Sequence, residues 1–288
     1  MTEEGPVTES APNSPPAPRT PAGGAGLAAL LTAPERALIA LDYDGTLAPI
    51  VPRPSDAVPA PGAMDALRRI SHEIGTLAII TGRPVDSLLE LTGLEKIPDF
   101  GNLIILGQYG LQRWDSGSRA ISSPEPLPGV AAVRAALPEL LRDAPVGTAV
   151  EDKHQALVVH VRRTADPDSA LAALTPALTA LAEDHGMEAA PGKRVLELRP
   201  PGHDKGGALR RLIAACQARS VLVAGDDYGD LPAFEAVDEL RAGGLPGITV
   251  CSDSPEVPDV IRERADLVVG GPPGMVALLE VLVERLSG

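Results

Sequence analysis

Asp42 and Asp44 stand two positions apart in the run Leu41-Asp42-Tyr43-Asp44-Gly45-Thr46-Leu47, directly behind an aliphatic stretch. Carboxylates so spaced leave a strand end together before Gly45 turns the chain. One of them is a competent nucleophile toward phosphorus, and the other can protonate a leaving oxygen. Asp and Gly are also ordinary turn formers, so this motif alone leaves a plain loop open. Three further segments narrow the choice. Thr81-Gly82-Arg83-Pro84 offers a hydroxyl and backbone donors suited to phosphate oxygens, although Thr81 taken alone also reads as a helix cap. Lys205 follows His203-Asp204 and precedes Gly206-Gly207, where glycines let backbone or ligand approach closely. Gly225-Asp226-Asp227-Tyr228-Gly229-Asp230 completes the set.

Charge decides what these groups need. Asp42, Asp44, Asp226, Asp227 and Asp230 would form a dense carboxylate cluster. Each pair about 4 Å apart repels by roughly 4 kcal/mol at an effective dielectric near 20. A phosphate dianion enters such a site only if something offsets that field. A hard divalent cation with oxygen ligands does so, and Mg²⁺ typically takes one or two carboxylates plus substrate phosphate. Lys205 adds a second positive charge. Phosphoryl transfer then asks for little beyond in-line positioning and electrostatic stabilisation.

The elements that must hold these motifs read as follows. Runs 37–41, 77–80, 103–106 and 221–224 are nearly continuous apolar, the signature of parallel strands covered on both faces. Helical patterns at 62–73, 84–92 and 205–218 alternate with them. The fold class expected is α/β, a doubly wound parallel sheet whose site lies at the carboxyl ends of its strands. The middle of the chain differs. Half-buried strands at 156–162 and 194–199, with helices at 129–141 and 168–185, predict an inserted α+β unit. The expected division is a catalytic core at 27–112 and 200–288, with a cap at 113–199. Residues 1–26 carry Val7 as the only large apolar residue between Thr2 and Gly26, which predicts a disordered tail or docking arm.

Composition excludes several classes. The 288 residues are 44% hydrophobic but 2% aromatic, so the core is aliphatic. With 25 basic and 39 acidic residues the formal charge is −14, which repels nucleic acid and anionic membranes. Cys216 and Cys251 show neither disulfide nor zinc spacing and read as reduced core residues. No secretory signal and no long apolar run is present, so a cytoplasmic, monomeric protein is expected.

The ordered set DYDGTL, ITGR, DKGG and GDDYGD resembles the haloacid dehalogenase superfamily of aspartate-nucleophile phosphatases. The resemblance implies that Asp42 forms a phosphoaspartate and that Asp44 is general acid and base. It implies phosphate binding by Thr81, Gly82 and Lys205. Mg²⁺ would be held by Asp42, the Asp44 main-chain carbonyl and Asp226, with Asp230 as a further ligand or outer support. The insert carries Val150-Glu151-Asp152-Lys153 and the run GKRVLELRP from Gly192 to Pro200, which with LDYDGTLAPI looks like trehalose-6-phosphate phosphatases. That similarity implies a small-molecule sugar phosphate as substrate, with Glu151, Lys153, Lys193, Glu197 and Asp227 as its binding residues. Solvated charge is the ordinary alternative for each. Leu196 and Leu198 alternate with Glu197, which frees Glu197 to face a ligand. Two departures stand out: Tyr109 replaces a family His, and the fourth motif reads GDDYGDLPAF where GDDxTDEDxF is expected. His154, His160 and His203 lack metal-ligand spacing and are read as structural or peripheral. A phosphatase of another sugar phosphate and a non-catalytic sugar-phosphate-binding regulator are the alternatives.

Overall fold

The computed structural model describes residues 17–192 and 194–288. Strands β1 (Ala37–Leu41), β2 (Thr76–Ile80), β3 (Leu103–Gly107), β4 (Gln112–Asp115) and β5 (Ile121–Ser122) come first. Strands β6 (Ala149–Asp152), β7 (Leu157–His160), β8 (Glu188–Gly192) and β9 (Val195–Arg199) follow. The last are β10 (Ser220–Gly225), β11 (Gly247–Ser252) and β12 (Leu267–Val269). An eight-stranded sheet runs β12-β11-β10-β1-β2-β3-β4-β5, parallel from β12 to β3 and antiparallel beyond. A separate antiparallel sheet has the order β6-β7-β9-β8.

Helices α1 (Pro21–Thr32), α2 (Ala63–Glu73), α3 (Val85–Thr92), α4 (Pro128–Leu140) and α5 (Pro167–Asp184) are joined later by α6 (Lys205–Cys216), α7 (Leu231–Ala242), α8 (Asp259–Arg264) and α9 (Gly271–Ser287). Side chains alternate across the large sheet, and each face has its own core. Ile39, Leu41, Leu77 and Ile79 pack with Leu30 of α1, Leu67 of α2, Leu88 of α3 and Leu279 of α9. Leu38, Ala40, Ala78 and Val223 pack with Leu209 of α6, Phe234 of α7 and Ile261 of α8. Helices on both faces leave no polar side to the central strands, which is why their sequences run apolar without alternation.

One face of the insert sheet carries an apolar core of its own. Leu157, Val159, Leu196 and Leu198 pack on Val130, Val133 and Leu137 of α4 and on Leu178 of α5. The residues between them point the other way, and Glu151, Val158 and Glu197 lie abreast in adjoining strands.

Two expected boundaries move. The tail to residue 26 is too long, because α1 already begins at Pro21, while residues 1–16 lie outside the described residues. Thr20 caps α1 by accepting from the Gly23 N–H at 2.9 Å, and its hydroxyl donates to Asp266. The small residues that read as disorder serve contact instead. A Cβ on Gly26 would lie 2.0 Å from the Gly247 carbonyl, so the helix rests directly on the start of β11. The cap does not start at 113 either, since β4 and β5 extend the large sheet to Ser122. Both cysteines are free, Cys251 buried and Cys216 half-buried. No described helix is long and apolar enough to cross a membrane.

Candidate active site

Tyr43 sets the direction of its neighbours. Its ring is 1% exposed and its hydroxyl donates to the Ala57 carbonyl at 2.6 Å, so the flanking Asp42 and Asp44 point to the opposite side. Gly45 then turns the chain with φ +84°, and a Cβ there would fall 2.1 Å from an Asp226 carboxylate oxygen. Glycine is demanded twice over, by conformation and by the approach of the second carboxylate. Ser252 at the end of β11 donates to the Gly45 carbonyl at 2.7 Å and fixes the turn.

At the floor of the site, the Lys205 ammonium lies 2.6 Å from Asp42 and 2.7 Å from Asp230. Asp204 caps α6 by accepting from the Gly207 N–H at 2.7 Å, and this places Lys205 as the first helical residue. Asp230 is saturated: one oxygen takes Lys205, the other accepts the N–H groups of Asp226 at 3.0 Å and Asp227 at 3.2 Å. Four carboxylates, Asp42, Asp226, Asp227 and Asp230, thus crowd around a single ammonium. Burial disfavours the Lys205 charge, but Asp230 and Asp42 more than offset this and hold it protonated. Burial pushes the Asp42 carboxyl up, Lys205 opposes that, and Asp230 and Asp227 reinforce it. Asp226 is pushed up to about 10 by burial and then by Asp42 and Asp230.

The same field would draw a cation. Oxygens of Asp42, Asp226 and Asp230 lie within 4.8 Å of one another, and Asp226 Oδ1 is buried with no hydrogen-bond partner. A polar atom so stranded costs about 1–3 kcal/mol. An all-oxygen donor set with an idle carboxylate oxygen suits a hard divalent ion.

Asp44 is engaged elsewhere. Arg83 grips both its oxygens, at 2.6 and 2.7 Å. Arg83 was not singled out from the sequence, because its partner sits 39 positions away. Thr81 is not a helix cap: it is 1% exposed, and its oxygen accepts from the Arg83 N–H at 3.1 Å, which shapes the loop before α3.

Asp42, Asp44, Thr81, Gly82, Lys205 and Asp227 share one cavity of about 260 Å³ with Glu151 and Lys153 of the insert. Glu197 is buried nearby, 3.2 Å from Lys153 and 3.9 Å from Arg199. Lys193 lies outside the described residues. His160 takes the structural one of the two roles open to it. It lines the cavity and bonds Glu151 at 2.8 Å, an interaction that holds the Glu151 carboxyl below its usual range. Larger cavities exist beside Arg36 and Arg219, about 450 Å³, and under α4, about 390 Å³, but neither gathers carboxylates.

A doubly wound sheet with aspartates at the ends of β1 and β10 and an α+β insert over them defines the haloacid dehalogenase-like fold. The chain is similar to a haloacid dehalogenase-like hydrolase from Bacteroides thetaiotaomicron, with TM-score 0.62 and 18% identity, covering 84% of this chain and 98% of that one. It is also similar to the C-terminal domain of C. albicans trehalose-6-phosphate phosphatase, with TM-score 0.72 and 21% identity, covering 94% and 99%. The trehalose-phosphatase family profile matches residues 40–264, and the chain belongs to that family. A probable trehalose-phosphate phosphatase of Sinorhizobium fredii is 31% identical over 226 residues, 76% of this chain and 80% of that protein. The chain spans 15% of the length of two Mycobacterium tuberculosis relatives and about half that of the Mycobacterium leprae and rice ones.

Proposed function

We propose that the protein hydrolyses trehalose 6-phosphate to trehalose and phosphate, as a Mg²⁺-dependent enzyme working through an aspartyl phosphate. The observation that carries this is the shared cavity: the nucleophile candidate of the core faces the same void as Glu151 and Lys153 of the insert. A phosphate seated at Asp42 therefore leaves its sugar against the polar face of the insert.

In the proposed reaction Asp42 attacks phosphorus, and the bond from phosphorus to the sugar oxygen breaks as that oxygen takes a proton from Asp44. Water then attacks the phosphoaspartate and gives a proton to Asp44. The bond from phosphorus to Asp42 breaks, so phosphate leaves and both carboxyl groups are restored. Thr81, Gly82 and Lys205 hold the phosphate oxygens. Asp42, Asp226 and the Asp44 main-chain carbonyl would hold Mg²⁺, while Asp230 orients Lys205 and the backbone of Asp226. Bound there, Mg²⁺ supplies the positive charge that lets a dianion approach the carboxylates. Glu151, Lys153, Lys193, Glu197 and Asp227 read the sugar hydroxyls. We place this activity in a cytoplasmic monomer with no nucleic-acid or membrane partner, and the acidic balance of the chain supports the last two points.

Phosphate release from a panel of sugar phosphates tests the substrate. Trehalose 6-phosphate is expected to give the highest kcat/KM, and a different preferred sugar would replace it in the proposal. On the same preparation EDTA is expected to stop turnover and Mg²⁺ to restore it. Ca²⁺ should inhibit, because its longer and looser coordination misplaces the attacking oxygen. Full activity in chelated enzyme would remove the metal from the mechanism.

Glu197→Ala tests the sugar face. A hydrogen bond to a charged group contributes roughly 1.5–3 kcal/mol, so kcat/KM for trehalose 6-phosphate should fall about 10–150-fold. Hydrolysis of a small aryl phosphate should fall far less. Equal losses on both substrates would make Glu197 a support of the core site and not a reader of the sugar.

A further inference from the structure

We infer that the left-handed turn at Gln108, Tyr109 and Gly110 sets the spacing between the phosphate site and the sugar-reading face of the insert, with Tyr109 as a specificity-determining positioning residue. The inference rests on the sugar-phosphatase function proposed above. These three successive residues have φ of 49°, 56° and 89°. For side-chain-bearing residues such a run is strained, and it persists only where the surroundings over-determine it. Here they do so from two directions.

Toward the core, the Gln108 N–H donates to the Arg83 carbonyl and the Tyr109 N–H to the Thr81 carbonyl, each at 3.0 Å. The Tyr109 hydroxyl abuts Gly82, where a Cβ would lie 2.6 Å from it. Toward the insert, the Gln108 side-chain amide donates to the Lys153 main-chain carbonyl. The Tyr109 ring carries the Arg199 guanidinium on its face, 4.9 Å from the ring centre. Arg199 pairs with Glu188 at 2.8 Å and lies 3.9 Å from Glu197. A single turn therefore touches Thr81, Gly82 and Arg83 on one side and Lys153 and Arg199 on the other, and Tyr109 lines the cavity between.

A sugar phosphate must place its phosphorus at Asp42 and its hydroxyls on the insert side of the cavity, where Lys153 lies 3.2 Å from Glu197, simultaneously. The stack of Tyr109 on Arg199 fixes the second point relative to the first. Burial, and then the charge of Glu197, raise the Tyr109 phenol well above its ordinary range, so it stays neutral and serves as a platform.

The test compares kcat and KM for a sugar phosphate and for 4-nitrophenyl phosphate in Tyr109→Phe, Tyr109→Leu and Arg199→Gln. Leucine keeps apolar volume but removes the aromatic face. It is expected to lower the sugar-over-aryl ratio of kcat/KM about tenfold, chiefly through KM. Phenylalanine should keep the ratio within about threefold, a rescue that general loss of packing would not give. Arg199→Gln approaches the stack from the insert and keeps the test standing if the leucine variant unfolds. It should reproduce the loss, and the double variant should lose little more than either single one. An unchanged ratio in Tyr109→Leu and Arg199→Gln would overturn the inference, as would a Phe variant that loses as much as Leu. The ratio is taken with whichever sugar phosphate the wild type prefers. A preference for a sugar other than trehalose 6-phosphate corrects the proposed substrate and leaves this inference intact. A wild type indifferent between sugar and aryl phosphates sinks both.

Discussion

Replacing Asp42 by asparagine is expected to abolish turnover, to below about one ten-thousandth of wild type, while the protein keeps its fold. An amide oxygen carries no charge to attack phosphorus and cannot accept the phosphoryl group as a stable acyl phosphate. The fold should survive because Lys205 retains Asp230 at 2.7 Å, so no buried ammonium is left alone. The substitution also removes a buried charge whose desolvation, together with repulsion from Asp230 and Asp227, outweighs its attraction to Lys205. The melting temperature of chelated Asp42→Asn should therefore equal or exceed that of chelated wild type. Circular dichroism melts in EDTA and phosphate release in Mg²⁺ check the two halves separately. Activity within tenfold of wild type would remove Asp42 as the nucleophile. A collapsed melt would show that Lys205 depends on Asp42 more than on Asp230.

Much of this core is legible in the sequence. Runs 37–41, 77–80, 103–106 and 221–224 became β1, β2, β3 and β10 with at most two residues' difference, because strands buried on both faces have no choice but to be apolar. The carboxylates were legible for a related reason: charge placed directly behind such a run has no structural use there. Elements whose stability comes from contact were not legible. β8 reads Glu-Ala-Ala-Pro-Gly, and nothing in those residues favours a strand. It forms on the edge of the insert sheet, where a proline is tolerated and β9 supplies the pairing. α1 is likewise made by its fit to β11 and not by its composition.

Within the site, residue type pointed to charge but not to pairing. Alternation with Leu196 and Leu198 turns Glu197 away from the insert core, in which both leucines lie, and the fold buries it against Lys153. The roles of Arg83, Tyr109 and His160 are not legible in the sequence, because they lie in partners distant in the chain: Asp44, Arg199 and, across a hairpin, Glu151. No periodicity encodes a contact of that kind. The insert therefore reads from sequence as a set of charges, and only the fold shows which of them are tied to each other and which remain open to a ligand.

Asp44→Asn should separate the two halves of the reaction. The substitution keeps an oxygen for Arg83 to hold and leaves the main-chain carbonyl in place, so orientation and metal binding should survive. What disappears is proton transfer, worth about 10²–10⁴-fold, or roughly 3–5 kcal/mol. A sugar alkoxide is a poor leaving group, so with trehalose 6-phosphate the variant should be slow from the first step. 4-Nitrophenolate leaves without a proton, so the variant should still form phosphoaspartate from the aryl ester. Breakdown of that intermediate needs a base to activate water, and the base is gone. Rapid mixing should thus show a burst of nitrophenolate stoichiometric with enzyme, followed by slow steady-state release. No burst should appear with the sugar phosphate. The wild-type geometry suits the role: Arg83 engages both Asp44 oxygens, at 2.6 and 2.7 Å, and orients the carboxyl while each oxygen keeps a second lone pair for a proton. Linear release of nitrophenolate at the wild-type rate would mean that another group activates water, and Asp44 would then be an anchor for Arg83 alone.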